Sequence, residues 1–320
     1  SGIREFYKTT ETDINFDAVE STAQVPKYIP GIVEEMTVST HEDLLAVLAR
    51  SGGAATNEFY MYKYYKTEKG RVQSAWFKFI LTGCEIINLH FIGQSLYLIL
   101  KRGSKTFLEK MDLQTGLTDT GKAYTTHLDR RTSITAEESG FVLELPYDIE
   151  SGDTMQVVSE DGEVMTIQSQ TTNTITLYEE FAASDMFYVG IPYTMKYQLS
   201  KPVLKRQKPD GGYEIIAVGR HQIRYMTVVY SDTAYFSVRI TPEVGGSDGT
   251  PIDYPYSGRF LSTGGFLGQV VSDSGDFRFP VFSQSDAVKI EILNDSPLPS
   301  NIQSIEFEAN FVSRSQPRFA

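Results

Sequence analysis

Glu58–Tyr65 reads EFYMYKYY, and Ala75–Leu81, one short turn later, reads AWFKFIL. Aromatic residues this dense fit a pleated, half-buried surface better than a helix, where they lose rotamer freedom. The first run is almost continuously apolar rather than alternating. It reads as a strand buried on both sides, or as packing between neighbouring sheets, in preference to a stacking platform for sugars or bases. Lys69-Gly70 marks the turn between the two runs. Working upstream, Ile32–Ser39 and Leu44–Arg50 are strand-like and are split by His41-Glu42-Asp43. Downstream come Ile86–Phe91, then Ser95–Lys101 after Gly93-Gln94, then Thr106–Leu113 after Gly103-Ser104. The first four strands overlay the next three at a spacing of roughly 40 residues, the second group's fourth strand being short or supplied from elsewhere. Four-strand meanders at this period are the pattern of β-propeller blades, and an ordinary β-meander is the other reading.

The rest of the chain is also strand-like. Phe141–Leu145, Thr154–Val158, Val164–Ser169 and Thr174–Tyr178 are short strands punctuated by Asp161-Gly162 and Thr171-Thr172-Asn173. From Tyr193 onward follow Met195–Leu199, Tyr213–Val218, Gln222–Val229, Tyr235–Ile240, Gly258–Leu261, Phe279–Phe282, Val288–Leu293 and Gln303–Phe311. These suit a β-sandwich or jelly roll, with Pro297-Leu298-Pro299 breaking the chain before the last strand. The best helical candidate is the short segment Glu179–Ser184. The expected fold is all-β: β-propeller blades over 1–125, a small acidic β-barrel or sandwich over 126–190, and a β-sandwich-like domain over 191–320. The chain starts at Ser1-Gly2 without an initiator Met, directly before a strand-like Ile3–Tyr7. That start reads as a processed product or as the C-terminal part of a longer protein; in the latter, a first strand with no partner inside the chain would pair with something missing.

Charge divides the chain in the same places. Of 320 residues, 41 are acidic and 29 basic, and the formal net charge of −12 is unevenly spread. Residues 126–190 hold 13 acids and two bases, Arg130 and Arg131, so this one stretch carries a net −11. Such a shift marks a separate module, either a solvated face or one that repels something negative or meets a cation. The acids do not form the spacing of a calcium loop. A protein that wraps duplex DNA would need basic surface instead. No stretch approaches about 18 apolar residues, so no membrane-spanning helix is expected.

Signatures of chemistry are few. The histidines His41, His90, His127 and His221 lack metal-ligand spacing, and the lone Cys84 excludes internal disulfides and cysteine-based zinc sites. Nucleophile-elbow, Walker and dinucleotide motifs are missing, and Gly264–Gly268 reads as a loop between strands. The adjacent pairs Glu137-Glu138 and Glu179-Glu180 would diverge on strands, and nothing selects two carboxylates for glycoside hydrolysis. No catalytic residue, cofactor or metal is expected.

One ordered set of motifs is more specific. Tyr62-Lys-Tyr-Tyr is followed by Arg71-Val-Gln73-Ser-Ala-Trp76-Phe-Lys-Phe79, with Val25-Pro-Lys-Tyr-Ile-Pro30 upstream. His127-Leu-Asp129-Arg130, Gly190-Ile-Pro-Tyr193, Gly219-Arg220, Tyr230-Ser-Asp-Thr233 with Tyr235-Phe-Ser-Val, and Asn294-Asp-Ser-Pro-Leu-Pro299 follow in order. In these pieces the chain resembles the tail tubular protein B family, the tail nozzles of T7-like podoviruses. It departs from the family at Phe79, where a second Trp is usual, and in a tail thinned to Arg314-Ser-Gln-Pro-Arg318. The resemblance covers most of 25–130 and 186–315.

It implies a structural protein of the virion tail. Such proteins form a homohexameric ring below an adaptor ring, tail tubular protein A. They help attach tail fibres and hold a channel through which genomic double-stranded DNA passes without specific binding. Gln73, Trp76, Asp129, Arg130, Gly190, Tyr193, Gly219 and Arg220 are then signature residues with structural roles. Glu137, Glu138, Asp148, Glu150, Asp153, Glu160, Asp161 and Glu163 are candidates for an acidic channel or tip surface. The competing reading is a host-surface glycan-binding or glycan-hydrolysing propeller protein.

Overall fold

Strand pairing accounts for all regular structure among the described residues. The computed structural model describes residues 2–8, 16–23, 25–67, 70–114, 116–209, 211–216, 219–258, 270 and 272–312. They divide into two compact units, Ser1–Leu117 with Glu150–Asp153, and Thr118–Ile149 with Thr154–Ala320.

In the first unit, β1 (Arg4–Lys8) pairs antiparallel with β2 (Phe16–Glu20). The first strand therefore finds a partner within the chain, in a β2 of only five residues that the sequence reading did not pick out. β3 (Ile32–Ser39), β4 (Leu44–Arg50), β5 (Glu58–Thr67) and β6 (Gly70–Ile80) make a four-stranded antiparallel sheet in chain order. β7 (Glu85–Ile92), β8 (Ser95–Arg102) and β9 (Lys105–Asp112) make a three-stranded one.

β4 and β5 are buried on both faces, which is why their sequences do not alternate. Leu44, Ala46 and Leu48 of β4 and Phe59 and Met61 of β5 meet Ile86, Leu89, Leu96 and Leu100 of the second sheet in one core. On the other face Val47, Ala49 and Tyr60 pack with Ile29, Val33 and Trp76. The aromatic run is thus a packing element: Phe59 stacks on Phe79 at 5.1 Å and Tyr62 lies 4.8 Å from Trp76.

The edges of β3 and β7 are stitched by side chains. The Leu89 amide donates to Glu35 Oε2 (3.3 Å), the Phe91 amide to Thr37 Oγ1 (3.0 Å), and Ser39 Oγ to the Gly93 carbonyl (3.1 Å). These bonds satisfy backbone groups, the buried Phe91 amide among them, at a seam where the strands do not ladder. Two face-packed antiparallel sheets are common to adjacent blades and to an ordinary sandwich. Among the described residues no propeller ring is formed, and the second sheet has three strands.

In the second unit, β10 (Asp129–Thr135), β11 (Gly140–Glu144), β12 (Gln156–Ser159), β13 (Val164–Met165), β14 (Ile167–Gln170), β15 (Thr174–Phe181) and β16 (Met186–Ile191) build two small sheets. Their orders are β10-β16-β12-β13 and β11-β15-β14. Leu143, Val157, Ile175, Leu177, Phe187 and Val189 fill the core between them. The helix expected at Glu179–Ser184 is absent. β15 runs on to Phe181, whose pairing with Gly140 and burial outweigh the weak helical propensity of the segment.

Then follow β17 (Met195–Gln198), β18 (Lys205–Gln207), β19 (Tyr213–Ile215), β20 (Arg220–Thr233), β21 (Tyr235–Val244), β22 (Ser247–Asp248), β23 (Ile252–Ser257), β24 (Asp273–Gln284), β25 (Val288–Asn294) and β26 (Ile302–Val312). One sheet is β17-β25-β21, with β22 and β23 both on β21; the other is β24-β20-β26. Ile223, Met226, Val228, Phe236, Val238, Phe279, Ile290 and Ile292 form the core between the two sheets. β18 and β19 form a separate two-stranded hairpin. The strand expected at Gly258–Leu261 lies earlier, at β23, and residues 259–261 fall outside the described residues. So do the Gly264–Gly268 loop, Lys69 of the expected turn, and the Arg314–Arg318 tail.

Candidate functional surface

Four signature residues meet at one irregularity. The register of β10 on β16 shifts between Asp129 and Thr132, a bulge in which Arg130 adopts φ 49°. Bulging pushes the β10 backbone against Gly190 of β16. A Cβ on Gly190 would lie 2.6 Å from the Asp129 carbonyl oxygen and 2.8 Å from Leu128 Cβ, so only glycine fits. The Arg130 guanidinium lies 4.5 Å from the Tyr147 ring centroid, and Tyr147 donates its hydroxyl to the Arg130 carbonyl at 2.7 Å. Desolvation of its hydroxyl, and then the Asp129 carboxylate, push the Tyr193 phenol up to about 12, although the residue as a whole is 40% exposed. Asp129, Arg130, Gly190 and Tyr193 are thus one local structure, although about 60 residues separate the two motifs.

The other signature residues lie apart from this bulge. Trp76 donates its indole N–H to the Ser21 carbonyl at 2.9 Å, tying the chain after β2 to the four-stranded sheet. Gln73 is exposed on β6, paired with Tyr65. Gly219 has φ 144°, and a Cβ there would fall 2.6 Å from the Phe311 ring. Arg220, exposed, opens β20 opposite Val312.

Beside the bulge lies an ion pair the sequence did not disclose. Asp119 is buried and accepts from the Thr126 amide and from Arg131 Nη1, both at 2.6 Å. The guanidinium also donates to the Thr126 carbonyl at 3.1 Å and lies 5.2 Å from the Tyr188 ring centroid. Burial, and then Arg131, hold His127 below the ordinary histidine range, with Asp119 opposing. Asp119 and Arg131 are 12 positions apart and match no motif, so only the fold brings them together.

The acidic candidates are dispersed. Glu160, Asp161 and Glu163 sit exposed at the turn between β12 and β13, where Asp161 lies 3.6 Å from Lys122. Glu137 and Glu138 are exposed in the bend after β10, and Asp148 is exposed after β11. Glu150 and Asp153 group with the first unit, where Glu150 lies 3.8 Å from Lys105. Asp153 is only 8% exposed, which removes it from any acidic surface. Its Oδ1 would lie 3.5 Å from a Cβ on Gly83, a position also 3.8 Å from Arg102 Nη1.

Two cavities bear on chemistry. One of about 310 Å³ is lined by Thr118, Asp119, Thr120, Arg131, Ser133, Met186 and Tyr188; its one carboxylate already binds Arg131. The other, about 330 Å³, lies among Leu199, Met226, Val288, Ile290, Ile305 and Phe307 and has no carboxylate in its wall. Neither supplies the facing carboxylates of glycoside hydrolysis. Among the described residues no group of three or more His, Cys, Asp or Glu could hold a metal ion, and no helix is long and apolar enough to cross a membrane.

Signature residues thus sit at a bulge, a close strand approach and a sheet-to-segment tie in an all-β chain. The family model described as bacteriophage nozzle protein matches residues 1–318, and the chain belongs to that family, components of the virion tail. It is similar to tail tubular protein gp12 of Escherichia phage T7, 22% identical over 332 residues, covering 98% of this chain and 41% of that protein. The chain thus spans less than half the length of this curated relative.

Proposed function

We propose that the protein is a subunit of a homohexameric tail nozzle that forms and gates the channel for DNA ejection, beneath an adaptor ring (tail tubular protein A), and helps dock tail fibres. In this reading 1–125 supplies propeller blades, 126–190 an acidic module facing the channel or its tip, and 191–320 a sandwich domain. Its role is structural rather than enzymatic. The observation that carries the reading is the charge segregation: net −11 in 126–190, with Glu137, Glu138, Asp148, Glu160, Asp161 and Glu163 exposed.

A conduit must not hold the polyanion that moves through it. Each phosphate paired with Lys or Arg releases counterions, and that release would retain the DNA. Acidic walls push the duplex toward the axis instead. Sixfold repetition would set roughly 66 negative charges around one axis, six times the module's net −11, acting over about 8 Å at physiological salt.

Ejection kinetics test this. Virions carrying Glu160→Lys and Glu163→Lys should release DNA more slowly than wild type, and the defect should shrink as salt rises. Ejection at the wild-type rate at every salt concentration would contradict placement of this turn at the channel.

A further inference from the structure

The hairpin of β18 and β19 presents a face that stays exposed among the described residues. Register places Lys205 opposite Ile215 and Gln207 opposite Tyr213, so these four share one face, while Arg206 and Glu214 pair on the other. Tyr213 is 69% and Ile215 59% exposed. A two-stranded hairpin is marginal in water by itself, and exposed apolar residues on one are a mark of an interaction site. The segment is also basic. From Tyr193 to Pro209 there are five bases and no acid. Lys196, Lys201 and Arg206 are neutralised by Glu291, Glu243 and Glu214, whereas Lys205 and Lys208 have no ion-pair partner among the described residues.

A surface of complementary character exists on the same molecule. In the sheet β11-β15-β14, Leu143, Ile175 and Leu177 point into the core, so alternation turns Val142, Glu144, Thr176 and Tyr178 outward. Val142 and Tyr178 are 52% and 62% exposed, and Glu144, Glu179 and Glu180 are exposed around them without an ion pair among the described residues. An apolar patch with an acidic rim thus matches an apolar face with a basic rim. Among the described residues neither face is covered, so we match them between copies.

We infer that the β18–β19 hairpin of one copy docks on the outer face of the β11-β15-β14 sheet of a second copy. Two different patches meeting head to tail make a heterologous contact, which closes into a ring when the rotation allows. The inference rests on the nozzle reading only in requiring a second copy.

Carbodiimide cross-linking of a mixture of isotopically labelled and unlabelled protein tests it, since the reagent joins lysine amines to carboxylates in direct contact. Mixed-label peptides should join Lys205 or Lys208 to Glu144, Glu179 or Glu180. Lys205→Glu with Lys208→Glu should abolish them and weaken self-association about tenfold or more, and adding Glu144→Lys and Glu180→Lys should restore it. The substituted side chains are exposed, so thermal melting should be unchanged; a lowered melt would be met with Lys205→Gln and Lys208→Gln. Absence of mixed-label peptides, or failure of the charge swap to rescue, overturns the inference. Rings that persist in the lysine variant overturn this contact and leave the nozzle reading standing. Mixed-label peptides without rings do the reverse.

Discussion

Gly190 shows how a signature residue acts here through space rather than chemistry. Its missing side chain admits the bulged backbone of Asp129–Arg131, and any Cβ would collide with the Asp129 carbonyl oxygen at 2.6 Å. Overpacking of this kind costs about 1–3 kcal/mol. Gly190→Ala should therefore lower the thermal midpoint clearly, while alanine at Gly52, which has open space around it, should act only through its positive φ of 64°. Equal midpoints for wild type and Gly190→Ala would show that the bulge does not need the close approach. The sequence displays both motifs but not their meeting, because a bulge leaves no mark in local alternation. Asp153 teaches the converse: its composition suggested an exposed charge, yet tertiary burial decides its environment.

Strands with strong apolar character are plain in the sequence, and β3 and β4 have the limits read from it. β10, DRRTSIT, and β2, FDAVE, are not, since a polar strand and a five-residue one lack a continuous hydrophobic signal. The seam between β3 and β7 is likewise invisible locally, because Glu35 and Thr37 meet their partners 54 positions away. It carries a testable load. The buried Thr37 hydroxyl is the acceptor for the Phe91 amide, and Thr37→Val would strand that donor at a cost of about 1–3 kcal/mol. Hydrogen exchange at the Phe91 amide should speed up in the variant and the first unit should melt earlier. Unchanged exchange there would mean that the side-chain stitching does not secure the seam.

At the scale of the whole molecule, the match over 1–318 shows the family, and the charge of residues 126–190 carries the proposed channel role. Charge is readable from sequence because each ionisable residue declares itself. Its arrangement is not, since burial, Lys122 and the division of the chain redistribute the eight acids expected to act together. The most direct test is electron microscopy of the protein mixed with the proposed adaptor ring protein, analysed without imposed symmetry. Sixfold rings with residues 126–190 facing an axial channel are the predicted result. Monomers that never close into rings, or rings carrying that module on the outer rim away from the axis, would contradict the account.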